Sequence, residues 1–179
     1  MSKAVEAQAY RFLARYVEEK LPGASLKPTM HKGKGESEGI ADAVLEYDGQ
    51  KVHIEIKACS KKAFGTNIRF THQTIAKAQG HDLIVALITN VADPEKTSVT
   101  FFRLGAVQDS IIVEPHFIVQ YPQTTGHHAS LDTILRGETA PLNLSSLLDT
   151  AVRSHMGRGA QQQDPADGLA SPSGRQGRG

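Results

Sequence analysis

The stretch ADAVLEYDGQKVHIEIKA, residues 41–58, decides how the chain folds around its charged residues. Asp48-Gly49 separates two runs that alternate apolar and polar side chains. An Asp-Gly pair in that setting predicts a two-residue hairpin turn, because both positions need positive φ. With Asp48 and Gly49 at the centre, Tyr47 faces Gln50, Leu45 faces Val52, Ala43 faces Ile54 and Asp42 faces Glu55. Alternation along a strand then sorts the side chains. Ala41, Ala43, Leu45, Tyr47, Val52, Ile54 and Ile56 form a core face. Asp42, Val44, Glu46, Lys51, His53, Glu55 and Lys57 form the other.

Two carboxylates and an ammonium therefore converge at the end of the hairpin away from the turn. Like charges opposite one another on a sheet are destabilising, so something has to compensate. One answer is bland: polar side chains are expected on the outer face of a hairpin, and Lys57 bridges the two acids. The other is chemical: Asp42 and Glu55, with waters and the carbonyl of Ile56, make an oxygen-rich site suited to Mg²⁺. Lys57 is then placed to hold a phosphate oxygen or orient a water. Both answers fit the register.

Outward from the hairpin, residues 3–20 carry Val5, Ala9, Phe12, Leu13, Tyr16 and Val17 at helical spacing, with Ser2 as an N-cap and Pro22-Gly23 as a stop. Ala24 to Met30 reads as a first strand. Residues 31–39, HKGKGESEG, form a glycine-rich loop whose glycines, Gly39 included, let it flex. Residues 61–70, KKAFGTNIRF, read as a connection. Thr71 is a candidate N-cap for a helix over 72–80 ended by Gly80. LIVALIT, residues 83–89, is short, apolar and β-branched, as suits a strand covered on both faces. Residues 98–104 and 111–121 read as further strands, and 142–155 as a last helix. From Gly157 to Gly179 the sequence is rich in Gly, Gln, Pro, Ser and Arg and poor in apolar residues. Such a segment cannot bury enough surface to order itself. The expected organisation is one domain over 1–156 and a disordered tail over 157–179.

The element order is helix, strand, strand with Asp, strand with Glu-Ile-Lys, helix, apolar strand. With Asp42 and Glu55-Ile56-Lys57 it resembles the PD-(D/E)XK nuclease superfamily. The string SEGIAD…DGQKVHIEIKA…RFTHQTIAKAQG…DLIVALITNV resembles in particular the nuclease domain named after the plant protein NO VEIN. The likeness runs over about residues 3–104. Ala41 stands where the superfamily's name has proline. The resemblance implies an α/β fold of the restriction-endonuclease-like kind, a central mixed sheet flanked by helices in α-β-β-β-α-β order, with the 42–55 hairpin at its active edge. It implies Mg²⁺ (or Mn²⁺) held by Asp42, Glu55 and Ile56, with Lys57 acting on the water and phosphate. It assigns Glu6 a supplementary acid role, with Glu18 and Glu19 as weaker alternatives, and Gln73 a helix-borne role. For both Glu6 and Gln73 an ordinary surface role competes.

The implied activity is endonucleolytic hydrolysis of DNA, with RNA not excluded, in restriction, phage defence or repair. The alternative is a catalytically inactive nucleic-acid- or protein-binding module on the same fold. Lys32 and Lys34 before the motif, with Lys61, Lys62 and Arg69 after it, form a candidate phosphate-contact surface. A homodimer would let both strands of a duplex be cut, and the sequence leaves that arrangement open.

Composition narrows the classes. The 179 residues are 39% apolar and 22% charged with a formal net charge of +1, so any nucleic-acid contact must be local rather than global. There is no Trp and no run apolar enough to cross a bilayer, and the start MSKAVEAQAYRF lacks a signal-peptide core. The single cysteine, Cys59, has no internal partner; it reads as packed rather than nucleophilic, and the expected setting is cytoplasmic. His53 is expected to be exposed, His127-His128 to be a plain loop, and residues 33–35, GKG, are too short for a phosphate-binding loop.

Overall fold

The computed structural model describes residues 3–29, 39–63, 65, 67–113, 116–149 and 153. Helix α1 (Lys3–Lys20) leads into β1 (Ser25–Pro28) through Gly23, whose φ of +85° ends the helix. Strands β2 (Ala43–Tyr47) and β3 (Gln50–Ala58) follow, then β4 (Asn67–Phe70), α2 (His72–Ala78) and β5 (Leu83–Thr89). After β6 (Ser98–Arg103), a 3₁₀ segment leads to β7 (Ile111–Val113), β8 (Phe117–Gln120), the helical turn α3 (Tyr121–Thr124) and helix α4 (Leu131–Arg136).

The hairpin has the register expected of its turn. Ala43 pairs with Ile54, Leu45 with Val52 and Tyr47 with Gln50, and Asp48 and Gly49 take φ of 50° and 73°. Strand β3 then runs parallel to β5, with Glu55 beside Val85 and Lys57 beside Leu87. The resulting five-stranded sheet has the order β1-β2-β3-β5-β6 and is parallel only between β3 and β5. The fold is therefore α/β, with a central mixed sheet flanked by helices. The hairpin is not at an edge, however. Strand β1 covers the free side of β2, and β3 lies in the middle of the sheet.

Both faces of the sheet are covered, and the alternation of β5 shows how. Ile84, Ala86 and Ile88 turn to one side, where they pack with Ala43, Leu45, Ile54, Ile56 and the buried stripe Ala9, Leu13 and Val17 of α1. Leu83, Val85 and Leu87 turn to the other, against Phe70, Ile75, Ala78, Phe102, Phe117 and Val119. The LIVALIT strand is thus buried on both faces, as its composition suggests. Ala41 departs from expectation: it packs in the second cluster and not beside Ala43, because β2 begins only at Ala43 and alternation does not reach back to residue 41.

The second face is roofed by a small sheet of order β4-β8-β7. Residues 61–70, expected as connection, contain β4, and 111–121, expected as one strand, contain the antiparallel pair β7 and β8. Thr71 caps α2 as expected, accepting a hydrogen bond from the Thr74 amide at 3.1 Å, and Gly80 follows with φ +74°. Residues 144–149 are helical within the expected 142–155. Buried Arg103 ion-pairs with Asp82 and donates to the Ile134 carbonyl at 2.5 Å, which ties β6 to α4. Ser2, Lys32, Lys34 and the 157–179 tail lie outside the described residues.

Candidate active site

Asp42 sits one residue before β2, where the sheet ladder between β2 and β3 stops. Its backbone carbonyl accepts from the Thr29 amide at 3.0 Å, and the Thr29 hydroxyl donates to the Ala41 carbonyl. Gly39 makes that approach possible: a Cβ there would meet Thr29 Oγ1 at 2.7 Å and Cγ2 at 2.8 Å. At Gly39 the missing side chain serves this contact, and the rest of the glycine-rich stretch, 31–38, lies outside the described residues. The Asp42 side chain then reaches across to β3, where Oδ2 accepts from the Ile56 amide at 2.8 Å. That bond falls into place because Cys59 donates to Ile88 of β5, so odd-numbered residues of β3 turn their backbone polar groups toward β5 and even-numbered ones toward β2. The same alternation turns the Ile56 carbonyl to the β2 side of the strand.

Glu55 lies in mid-β3 and is 7% exposed. Burial pushes its carboxyl above the usual range. The Lys57 ammonium pulls the other way, and the neighbouring Asp42 carboxylate adds to the upward push. Lys57, two residues on and on the same face, places Nζ 2.8 Å from Glu55 Oε1. Its ammonium also lies 4.7 Å from the ring centroid of Phe70, on β4 of the roofing sheet. Asp42, Glu55, Lys57 and the Ile56 backbone therefore form one constellation. The Asp42 and Glu55 carboxyl groups neighbour one another, and the single ammonium pairs with Glu55.

The other sequence candidates fall around this centre unequally. Glu6 is half-buried in the first turn of α1, the helix that covers the face opposite Glu55. Among the described residues no three His, Cys, Asp or Glu side chains come together, so Glu6 does not complete an acidic trio with Asp42 and Glu55. Glu18 and Glu19 are exposed near the end of α1, and Gln73 is exposed in the first turn of α2. Lys61, Lys62 and Arg69 are all exposed. The Lys61 carbonyl accepts from Asn90 at 2.9 Å, which pins the segment after β3 to the end of β5 and leaves the lysine side chain at the surface.

His53 differs from expectation. It is half-buried, its ring 5.4 Å from that of His81, and burial followed by the charges of His81 and Lys51 lowers its pKa. His127 is exposed at the end of a 3₁₀ turn, whereas His128 stacks on Phe102 and approaches Thr124. Half-buried Cys59 directs its thiol to the Lys61 carbonyl. Two participants escaped the sequence reading. The Ile56 amide was legible only as part of a strand, and Phe70 belongs to a strand that pairs with a partner about fifty residues away.

No protein-family model and no curated protein matches the chain. Among solved structures, the chain is similar to the 1.6 Å structure of Hjc, a Holliday junction resolvase from the archaeal hyperthermophile Archaeoglobus fulgidus. The TM-score is 0.46 and the identity 16%, over 65% of this chain and 88% of that one. No described helix is long and apolar enough to cross a membrane.

Proposed function

We propose that this chain is a Mg²⁺-dependent endonuclease of the PD-(D/E)XK type, with the NO VEIN-type pattern in its sequence, that hydrolyses phosphodiester bonds of DNA. The observation that carries the reading is the convergence of Asp42, Glu55 and Lys57 beyond the end of the β2–β3 ladder. The donor set suits a hard dication: two carboxyl groups neighbour one another where Glu55 is 7% exposed, and the one ammonium there pairs with Glu55. Asp42, Glu55 and the Ile56 carbonyl would hold Mg²⁺ or Mn²⁺, with waters filling the remaining positions, as Mg²⁺ prefers. When bound, the ion supplies Lewis acidity and a lowered pKa for water.

The chain's own groups do the rest. The Ile56 amide fixes the Asp42 carboxylate in one orientation, so the acid is set before substrate arrives. Glu55 keeps its acceptor oxygens in a dry environment, where charge interactions are strong. Lys57 supplies a positive donor beside the reacting phosphate, where negative charge grows in the transition state. Exposed Lys61, Lys62 and Arg69 offer sequence-independent phosphate contacts.

The test is incubation of purified protein with plasmid, single-stranded DNA and RNA in Mg²⁺, Mn²⁺ or EDTA, beside Asp42→Ala and Lys57→Ala. Metal-dependent cleavage by the parent alone supports the reading, and the RNA arm sets the substrate class. Equal cleavage by parent and variants refutes it. Binding of DNA without cleavage, and no calorimetric heat with Mn²⁺, would instead establish a catalytically inactive binding module.

A further inference from the structure

The Lys57 ammonium has two neighbours of different kinds: the Glu55 carboxylate at 2.8 Å and the face of the Phe70 ring, centroid at 4.7 Å. We propose that Phe70 is a positioning residue that keeps the Lys57 ammonium at the site once a dication takes over the Glu55 carboxylate. This rests on the nuclease reading above and assigns a role the motif does not contain.

The problem Phe70 answers is electrostatic. A dication bound by Glu55 repels an ammonium that was paired to the same oxygen. Lys57 is on a flexible four-carbon stem and is only partly enclosed, its side chain 21% exposed. Without a second partner it would swing toward solvent when the ion enters. An aromatic face attracts a cation without competing for metal, carries no titratable group and leaves the ammonium's N–H bonds free to donate to a phosphate oxygen.

Phe70 is also fixed well enough to serve as a reference point. It is 1% exposed, and across the ladder it pairs with Phe117 of β8. The next residue, Thr71, caps α2. The ring thus belongs to the roofing sheet and not to the strand that carries Lys57. The two sheets must be packed together for the contact to exist, so the ammonium's position is set from outside its own strand.

The experiment reads the ring contact directly. The Lys57 ε-methylene protons, assigned by comparison with Lys57→Arg, should resonate upfield of those of the other lysines because of the Phe70 ring current. They should stay upfield as Mg²⁺ or Ca²⁺ is added. Phe70→Leu keeps apolar volume and should abolish the shift, and Phe70→Tyr should keep it. In cleavage assays Phe70→Leu should lower kcat about tenfold with KM for DNA unchanged, and Phe70→Tyr should restore it to within about twofold.

The proposal is overturned if the parent shows no upfield shift, if the dication removes the shift, or if Tyr fails where Leu fails. Should Phe70→Leu not fold, the parent titration and Phe70→Tyr still decide the matter. If Mg²⁺ moves no resonance of Asp42, Glu55 or Lys57 while the ring-current shift stands, the dication reading is what has failed, and the positioning role falls with it.

Discussion

Replacing Lys57 by Met should convert a satisfied buried acid into an unsatisfied one, with a pH signature that identifies it. The parent ion pair spans 2.8 Å, with the Glu55 side chain 9% and the Lys57 side chain 21% exposed. At an effective dielectric constant of ~20 the gross attraction is roughly 6 kcal/mol, most of it offset by desolvation of the two ions. Removing one partner of a buried pair costs about 3–5 kcal/mol, and the partial exposure of Lys57 lowers the expectation to about 2–3 kcal/mol near neutral pH.

The pH dependence follows from which state holds the proton. Without Lys57, burial and the Asp42 charge push the native Glu55 carboxyl upward unopposed. The folded variant then binds its proton to higher pH than the unfolded chain, whose glutamate titrates near ~4.3. Stability falls with rising pH wherever the native state binds more protons. The deficit against parent should therefore be small near the unfolded-state value and complete above the raised native one. Urea unfolding at about pH 5 and about pH 8 measures this. Glu55→Gln added to Lys57→Met should recover most of the loss and flatten its pH dependence. An equal deficit at both pH values, or no recovery with Gln, refutes the picture of a buried carboxylate left without its cation.

Other outcomes test the surroundings. Asp42→Asn keeps an oxygen acceptor for the Ile56 amide, so its unfolding free energy should stay within about 1 kcal/mol of parent while the calorimetric heat with Mn²⁺ disappears. Gly39→Ala forces a methyl group against Thr29 and should cost about 1–3 kcal/mol in urea unfolding. Lys61→Glu with Lys62→Glu should weaken duplex binding, measured by fluorescence anisotropy, and reduce the salt slope by about 2, with melting unchanged because only the Lys61 backbone carbonyl is structural.

The hairpin was legible because its information is local. Asp48-Gly49 fixes the turn, the turn fixes the register, and the register brings residue 42 level with residue 55. LIVALIT and Thr71 were equally direct, one through composition and one through capping chemistry. The roofing sheet was hidden for the opposite reason. Strand β4 has four residues, too few to show a period, and its partner β8 lies about fifty residues downstream. The β7–β8 pair was merged into one strand because both runs are apolar and β-branched, although Pro115 between them cannot donate to a ladder. Missing that sheet also made the face of Glu55 and Lys57 look like solvent. It is instead a covered face, which is why Glu55 is buried and why His53 packs on His81 rather than lying open. The Asp82–Arg103 pair and α4 were not readable either, since each depends on contacts across tens of residues.

Asp42 is held by its carbonyl to Thr29, the residue just past β1, and by its carboxylate to β3, at the point where the regular ladder has run out. The acid is in effect the last rung of a three-strand frame, made partly of side chain. The hydrogen bond that closes the frame on the β3 side is also the one that aims the acid. Selection for a sturdy sheet and selection for a well-aimed carboxylate act on the same atoms, and only an isostere such as Asn can separate the two.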